Sequence, residues 1–381
     1  MQPHIAATTK RGGTAWKLKD CIWQRLKIIH DTVKNDKQFK QILFGLVIAF
    51  FVWNCFTTFV NHMSAEALRS AGRLVAETVL VLLVLRYKNS QVLERIFYAL
   101  AIFASINSVI VILQLLESAG CLNTPFRLIT TNFWGVIDEV ARKPGMLNGF
   151  QNSSLLSFLA IAFLIKRKDA WSVLMMSLNV FPILFGARTF LVFLPFLLLL
   201  NFRLSMGAIA AFSLFVLSGS SCDLNWIIKV HFAEKVIPGI NALVTADFNK
   251  DYSANLTVHQ YREPKDIKSW LLGNGVPRYM GISEKLPAYS GVVGGGDPTI
   301  SRWLLQSGGP AVILVTLIIG LILSRIWMLP GLANKLFTIS LILTTLKGEV
   351  VTATLIFSIL VMYALLKPSA FTAPVKRTSI S

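Results

Sequence analysis

Charged residues are scarce in this chain: they make up 15% of its 381 residues, whereas 54% are hydrophobic. A soluble domain of this size cannot remove so much apolar surface from water. Several segments approach the roughly 20 apolar residues that cross the hydrocarbon core of a bilayer. The composition therefore excludes a soluble globular protein and predicts an all-α, polytopic integral membrane protein.

Acidic residues are also few, with 19 Asp and Glu against 37 Lys and Arg, which gives a net charge of +18. Nine of the basic residues fall in the first 40 positions, and most of the others stand at the ends of apolar segments and in loops. This distribution is typical of topology signals and of contact with anionic lipids, not of nucleic-acid binding. Residues 1–40 are predicted to form a basic cytoplasmic arm. Because they lack an apolar core segment, we expect no cleavable signal peptide.

Ten apolar segments predict ten transmembrane helices. Their approximate limits are 41–60, 68–86, 96–116, 150–166, 170–187, 189–203, 204–220, 299–323, 332–347 and 349–367. Lys and Arg concentrate in alternate connections, so both termini, including the tail 368–381, are predicted to be cytoplasmic. Spans 1–7 fill residues 41–220, and spans 8–10 fill residues 299–367. The connection 221–298 between them is far too long for an ordinary link, which predicts a large folded loop on the outer side.

Cysteine and histidine are rare as well, with four and five residues. The chain has no His/Cys cluster at metal-ligand spacing, no catalytic-triad signature and no Asp-x-Asp pair, and its Gly-rich stretches lack the Gly-Lys-Ser/Thr of a phosphate-binding loop. We therefore expect no metal and no cofactor. Cys121 and Cys222 fall in predicted outer segments, where they form a disulfide or stay as two unrelated thiols.

Arg188 is the only ionisable residue in residues 170–201. On the predicted topology it lies at the outer surface, in the link between the fifth and sixth spans. Such an arginine either extends to the lipid headgroups or binds an anion in a water-filled cavity. Further basic residues on the outer side favour the anion site, since guanidinium groups hold phosphate oxygens bidentately. They are Arg69, Arg73, Arg142, Lys143, Arg262 and Lys347.

Two residues of the large loop are candidates for proton transfer. Asp297 precedes Pro298 at the start of the predicted eighth span, where it serves as the N-cap of that helix, as a general base, or as both. His259 stands three residues before Arg262 and is either an ordinary polar loop residue or an acid–base group.

Four stretches, in this order and topology, resemble the O-antigen polymerase and ligase superfamily. They are ARKPGMLNGFQNSSLLS (141–157), GARTFLVF (186–193), REPKDIKSWLLGNGV (262–276) and GDPTISRWLLQSGGPAVIL (296–314). The resemblance covers roughly residues 141–367. Asp297 stands where the ligases have a histidine, which is similar to the polymerases, and Pro298 stands where the family usually has asparagine.

The resemblance implies transfer of a glycan from undecaprenyl diphosphate to a hydroxyl group at the periplasmic face of a bacterial inner membrane. The acceptor is the next lipid-linked repeat unit in a polymerase and lipid A–core in a ligase; a flippase or anion transporter is the alternative outside the enzymes. Arg188, Arg262 and Arg142 are then expected to bind the diphosphate, and Asp297 or His259 to activate the acceptor hydroxyl. The expected partners are the undecaprenyl-diphosphate-linked oligosaccharide, membrane lipids and a chain-length regulator, with no nucleic acid.

Overall fold

The computed structural model describes residues 35–61, 66–86, 90–123, 145–147, 150–219, 221–238, 241, 245, 266–273, 299–347 and 356–371. In these ranges the chain is helical and contains no strand, so the predicted all-α class is confirmed. The helices are α1 (Asp36–Val60), α2 (Glu66–Arg86), α3 (Ser90–Ser118), α4 (Phe150–Leu164), α5 (Ala170–Leu184), α6 (Arg188–Leu191), α7 (Leu194–Leu200), α8 (Phe202–Ser218), α9 (Leu224–Val230), α10 (Ile267–Leu272), α11 (Thr299–Trp327), α12 (Leu332–Lys347) and α13 (Ile356–Ala364). A π-helix (His231–Val236) follows α9, and a 3₁₀ turn (Pro368–Phe371) follows α13.

Three of the described helices are long and apolar enough to cross a membrane, namely Asp36–Val60, Gln91–Ser118 and Trp303–Trp327. Five more apolar helices have 10–17 residues, which is shorter than the roughly 20 residues of a straight crossing. The chain is therefore a helical membrane protein, while the ten crossings stay a prediction. The predicted sixth span differs from the structure, which divides it into α6 and α7, with Pro195 in the first turn of α7.

Polar side chains mark the beginnings of several helices. Asn35 accepts hydrogen bonds from the N–H groups of Lys37 and Gln38, at 3.0 and 3.3 Å, and so caps α1. Asp169 caps α5 by accepting from the N–H of Ser172 at 2.9 Å. These contacts satisfy N–H groups that have no acceptor within their own helix.

Helix α4 is the central helix of the bundle. Residues 153–164 are all buried, with α3, α5, α6 and α12 packed around them. Phe158 of α4 contacts Phe190 of α6 and Phe337 of α12, with ring centroids 5.9 and 5.7 Å apart. The helix that begins at Arg188 and the helix α12 therefore pack against the same residue of α4.

Ion pairs fasten one end of the bundle, which we call the Arg167 end. Arg167, just after α4, is buried, lies 2.9 Å from Glu94 of α3 and donates to the carbonyl of Ala370 at 3.2 Å. Arg325, near the end of α11, pairs with Asp36 at the start of α1. A buried ion pair is costly to break because one charge is then left without compensation, so the Arg167–Glu94 contact holds the end of α4 against α3. The Arg325–Asp36 pair, which is exposed, links the end of α11 to the start of α1.

The opposite end, which we call the Arg188 end, holds a disulfide. Cys121, after α3, and Cys222, after α8, are bonded, with their Cα atoms 5.3 Å apart. The N–H of Asp223 donates to the carbonyl of Ala119 at 3.0 Å beside it. Of the two alternatives that the sequence leaves open for these cysteines, the structure has the disulfide, whereas Cys55 is free.

Candidate functional site

Ser154, in the first turns of α4, joins this helix to the link between α5 and α6. Its buried hydroxyl donates to the carbonyl of Pro182 at 2.6 Å and accepts from the N–H of Ala187 at 2.8 Å. The last carbonyls of a helix lack partners within that helix, and a buried N–H in a link needs an acceptor. One side chain therefore satisfies both sides of the link and holds the backbone before Arg188 against α4.

The turn at Gly145 packs against α3. Gln114 accepts from the N–H of Gly145 at 3.0 Å and donates to its carbonyl at 3.3 Å. Asn107 accepts from the N–H of Met146 at 2.7 Å and donates to Ser153 at 2.7 Å. Gly145 has a φ of +68°, and a Cβ at this position would lie 2.2 Å from the Oδ1 atom of Asn107. Only glycine fits such a position without a shift of the asparagine.

The first two matched stretches therefore lie side by side at the Arg188 end. Ser153 connects the first stretch to α3, and its neighbour Ser154 connects the first stretch to the second. Arg142, which stands three positions before Gly145, lies outside the described residues.

The last turn of α12 reaches the same link. The hydroxyl of Thr344 donates to the carbonyl of Ser340 at 2.6 Å and lies 3.4 Å from the hydroxyl of Thr189. Thr189 directly follows Arg188, and α12 ends three residues after Thr344, at Lys347. The backbones of Arg188 and Lys347 thus both lie at the Arg188 end, on different helices. The side chains of these two residues lie outside the described part of the chain.

His231 is the first residue of the π-helix, is buried, and contacts the last residue of α5. Its Nε2 atom donates to the carbonyl of Leu184 at 2.8 Å, since a carbonyl oxygen can only accept. The imidazole centroid lies 5.1 Å from the ring of Phe185. π-Helical turns occur frequently at functional sites. The segment that follows Cys222 is in this way attached to the residues just before the Arg188 link.

The third and fourth matched stretches meet through their backbones. Gly273, after α10, has a φ of +73°, and Gly308, inside α11, has a φ of +79°. A Cβ on Gly273 would lie 2.5 Å from the carbonyl group of Gln306, and a Cβ on Gly308 would lie 2.2 Å from the carbonyl oxygen of Leu271. Both glycines are thus required by the close approach of two backbones as well as by their conformation.

Helix α1 supports this second pair of stretches. The indole N–H of Trp53 donates to the carbonyl of Ser307 at 2.8 Å, at the break in α11, and the hydroxyl of Ser307 donates to Asn54 at 2.7 Å. The amide of Asn61 donates to the carbonyl of Leu272 at 2.9 Å. The end of α1, α10 and the broken part of α11 therefore form one packed unit.

Asp266 sets the beginning of α10. Its carboxylate accepts from the N–H of Ser269 at 2.6 Å. This hydrogen bond, together with one from the side chain of the same serine, holds the pKa of Asp266 below its usual value. Asp266 is therefore an ionised helix cap at neutral pH, which fits the capping preference of aspartate.

Glu77 of α2 is a buried carboxylate that connects two helices. The Nε atom of Arg73 lies 3.4 Å from it, and Ser358 of α13 donates to it from its hydroxyl at 3.1 Å and from its N–H at 3.3 Å. The first turn of a helix favours a negative charge. Glu77 therefore offsets part of the charge of Arg73, one of the basic residues expected at the outer side, and fastens α13.

Most of the predicted site residues lie outside the described ranges. This holds for the predicted proton acceptors Asp297 and His259 and for the predicted diphosphate ligands Arg262 and Arg142. Arg188 is described as the first residue of α6, without its side chain. The structure does bring together the described parts of the four stretches that contain or adjoin these residues. The first stretch packs against the second, and the third packs against the fourth.

Metal ligands do not cluster in the described part of the chain: no group of three or more His, Cys, Asp or Glu side chains there could hold a metal ion. The structure brings to the Arg188 end hydroxyls, helix termini and the backbones of Arg188 and Lys347. Guanidinium groups and backbone N–H groups are the protein's usual ligands for phosphate oxygens.

Several contact residues of this end escaped the sequence analysis. Asn107 and Gln114 stand seven positions apart, which places both amides on one face of an apolar helix. That spacing is a usable signal for a polar contact. His231 offers no comparable signal, because its partner Leu184 lies 47 positions away in the sequence.

Comparison of the chain with protein-family models, with curated proteins and with solved structures finds no match. The function therefore has to follow from the residues and contacts described above.

Proposed function

We propose that the protein is a metal-independent polysaccharide polymerase of the O-antigen type in a bacterial inner membrane. It transfers a growing glycan from undecaprenyl diphosphate to the non-reducing-end hydroxyl of a lipid-linked repeat unit. Ten helices cross the membrane, both termini are cytoplasmic, and the loop 221–298 covers the site at the periplasmic face.

The observation that carries the proposal is the pairing of the four stretches that resemble the polymerase and ligase superfamily. Ser154 of the first stretch bonds to Ala187 of the second. Gly273 of the third lies against the backbone of Gln306 in the fourth. Segments that serve one ligand have to lie at one end of the fold. The second pair packs against the end of α1 that is opposite Asp36, so both pairs lie at the Arg188 end.

The two ends of the bundle support the proposed orientation. The Cys121–Cys222 disulfide lies at the Arg188 end, and disulfides persist in oxidising compartments such as the periplasm. Arg167 and Arg325 lie at the other end. Arg203 lies there too, and its guanidinium group donates to the carbonyl of Lys168, just before α5, at 2.7 Å. Basic residues at that end agree with a cytoplasmic location.

The chemistry is a glycosyl transfer with a diphosphate leaving group. The oxygen of the acceptor hydroxyl forms a bond to the anomeric carbon of the donor, and the bond from that carbon to the phosphate oxygen breaks. Undecaprenyl diphosphate leaves with the electron pair, so negative charge grows on its phosphate. Arg188, Arg262 and Arg142 bind that phosphate and stabilise the charge without a metal.

The proton of the acceptor hydroxyl passes to the carboxylate of Asp297 or, in its place, to the imidazole of His259. A base within hydrogen-bond reach of the attacking oxygen raises the rate of such a step by about 10² to 10⁴. Asp297 stands two residues before α11, whose first half packs against α10. The stretch that follows Arg262 in the sequence therefore packs against the helix that follows Asp297 in the sequence.

The experiment is complementation of a strain deleted for the gene, with the wild-type chain or with Arg188→Ala, Arg262→Ala or Asp297→Ala. Lipopolysaccharide or capsule is separated by gel electrophoresis, and protein levels are matched by immunoblot. We expect the deletion strain to make core with one repeat unit, the wild-type chain to restore the ladder, and the three variants to fail.

Two other patterns contradict the proposal. Bare core together with polymerised, lipid-linked chains in the deletion strain identifies a ligase. Repeat units that stay on the cytoplasmic side identify a flippase.

The variant Arg188→Lys separates the effect of charge from that of geometry, because lysine keeps the charge but lacks the bidentate fork of arginine. We expect it to restore no ladder, as with Arg188→Ala.

A further inference from the structure

A groove runs along the contact between α11 and α12. Its volume is about 550 Å³, and its lining extends from Ile300 and Leu346 at the Arg188 end to Trp327 and Met328 at the Arg167 end. Between Val315 and Trp327 alone, α11 rises about 18 Å at 1.5 Å per residue. The groove therefore covers more than half of the roughly 30 Å hydrocarbon thickness of a bilayer.

The groove is lined mainly by apolar atoms, although Thr316, Ser324, Thr338 and Thr345 are among its lining residues. Thr338 and Thr345 of α12 donate their hydroxyls to carbonyls of their own helix, at 2.9 and 2.8 Å. These two hydroxyls are therefore already paired within α12. Ile319 and Leu323 of α11 form much of the opposite wall. A surface of this kind accepts a hydrocarbon chain and offers little to a polar guest.

Gly320 provides room in the middle of the groove. It is exposed, lines the groove, and a Cβ added there would meet no atom within 4 Å. At the Arg167 end, the ring of Trp327 lies 5.6 Å from the ammonium group of Lys335. Such an aromatic and basic pair is typical of the edge of the hydrocarbon layer, so the groove ends where the apolar part of a bilayer ends.

The groove opens, at its other end, beside basic residues. Leu346 lines it and is followed by Lys347, the last residue of α12. Thr345, also in the lining, is next to Thr344, whose hydroxyl lies 3.4 Å from that of Thr189 after Arg188. A hydrocarbon chain in the groove would thus place its headgroup near the backbones of two basic residues, Lys347 and Arg188, which suits an anionic lipid.

We propose that the groove between α11 and α12 binds the polyisoprenoid tail of the lipid diphosphate whose phosphates are bound at the Arg188 end. This inference rests on the proposed function, because it takes the donor lipid as the occupant. The tail lies along α11 past Gly320, and the diphosphate emerges beside Lys347 and Arg188. The bundle then holds the donor at two places, so that the tail aligns the diphosphate with the arginines.

The test is equilibrium binding of undecaprenyl diphosphate to the full-length protein in phosphatidylcholine nanodiscs. In Gly320→Leu the new Cβ meets no atom within 4 Å, its side chain adds bulk to the groove, and leucine is a better helix former than glycine. Gly45→Leu in α1 is the matched control, since Gly45 is also exposed in a long apolar helix and its Cβ would meet no atom within 4 Å. Inorganic diphosphate serves as the headgroup without a tail.

We expect Gly320→Leu to bind undecaprenyl diphosphate about tenfold more weakly, the loss that follows when about two methylene groups of the tail lose their contacts. Binding of inorganic diphosphate stays unchanged in this variant, and Gly45→Leu matches the wild type with both ligands. Wild-type affinity of Gly320→Leu for undecaprenyl diphosphate overturns the groove proposal while leaving the proposed function intact. Absence of binding by the wild type overturns the proposed function itself.

Two further results also overturn the groove proposal. If phosphatidylglycerol competes as well as undecaprenyl diphosphate and is weakened equally by Gly320→Leu, the groove holds ordinary membrane lipid. If Gly320→Leu instead changes the oligomeric mass of the detergent-solubilised protein and leaves lipid binding unchanged, the occupant is a second copy of the chain.

Discussion

The hydroxyl of Ser154 accepts a hydrogen bond from the N–H of Ala187 at 2.8 Å, and this contact fastens the link that leads into Arg188 to the central helix α4. The same hydroxyl donates to the end of α5 at 2.6 Å. Phe185 and Ala187 of this link are buried, and hydrogen bonds hold its backbone from two sides. Its position therefore depends on this serine and, on the other side, on His231.

Ser154→Ala should remove both hydrogen bonds and leave a buried N–H without its acceptor, which costs about 1–3 kcal/mol. We expect a lower melting temperature in detergent and a shorter glycan ladder at matched protein level. Ser157→Ala is the control, because the buried hydroxyl of Ser157, one turn further along α4, has no hydrogen-bond partner among the described residues. Equal behaviour of the two variants would contradict the role of Ser154.

Gly145→Ala should destabilise the protein more than Gly120→Ala. Both glycines have positive φ values, +68° and +71°, so alanine is strained at either position by about 1–2 kcal/mol. Only at Gly145 would the new Cβ meet a neighbour, the Oδ1 atom of Asn107 at 2.2 Å, whereas at Gly120 it meets nothing within 4 Å. The difference between the two melting temperatures measures the contact with Asn107, and no difference would mean that this contact is dispensable.

The Cys121–Cys222 bond should be present in the protein isolated from cells. Mass spectrometry after alkylation under denaturing conditions is expected to find two modified cysteines without reduction and all four after reduction. The bond closes a loop with a sequence separation of 101 residues, for which chain entropy gives about 4.7 kcal/mol. Cys121→Ser, Cys222→Ser and the double variant should therefore melt at the same, lower temperature.

Cys55→Ser is the matched control, because Cys55 is free; its melting temperature should equal that of the wild type. Four alkylated cysteines without reduction would show that the Arg188 end does not face an oxidising compartment, and would contradict the proposed orientation.

The cap at Asp266 should make the docking of α10 sensitive to acid. Because hydrogen bonds from Ser269 hold the pKa of Asp266 below its usual value, its stabilising effect is full above the unfolded-state pKa of about 3.9 and is lost as the pH falls through the lower folded-state pKa. Asp266→Asn keeps a capping oxygen but does not titrate. Between pH 6 and pH 3, we expect the melting temperature of the wild type to fall further than that of Asp266→Asn. If both melting temperatures fall equally, the ionised carboxylate of Asp266 does not stabilise the start of α10.

The sequence predicted the helical segments well, for a physical reason. Runs of apolar residues long enough for a bilayer can only be helical there, because each backbone group needs a partner within the segment. Each of the ten predicted segments accordingly contains described helix. The break between α6 and α7 was not predicted, although Pro195 supplies a local cause, since it has no N–H to donate within a helix.

The contacts of the candidate site were predictable only in part. The resemblance singled out the stretches around Ser154, Ala187, Gly273 and Gly308, but their pairing depends on how distant backbones approach each other. Gly308 shows the limit: its sequence context, SGGP, indicates a break in a helix, yet nothing in it indicates that Leu271 lies against the break.

The measurement that tests the central claim most directly is polymerisation by the purified protein. The protein is reconstituted in liposomes with the lipid-linked repeat unit extracted from the deletion strain, in the presence of EDTA, and product lengths are followed by gel electrophoresis and mass spectrometry. We predict lipid-linked chains that grow by whole repeat units, with one undecaprenyl diphosphate released per addition, and no growth with Arg188→Ala. Unextended repeat units with the wild type, or normal growth with Arg188→Ala, would contradict the account.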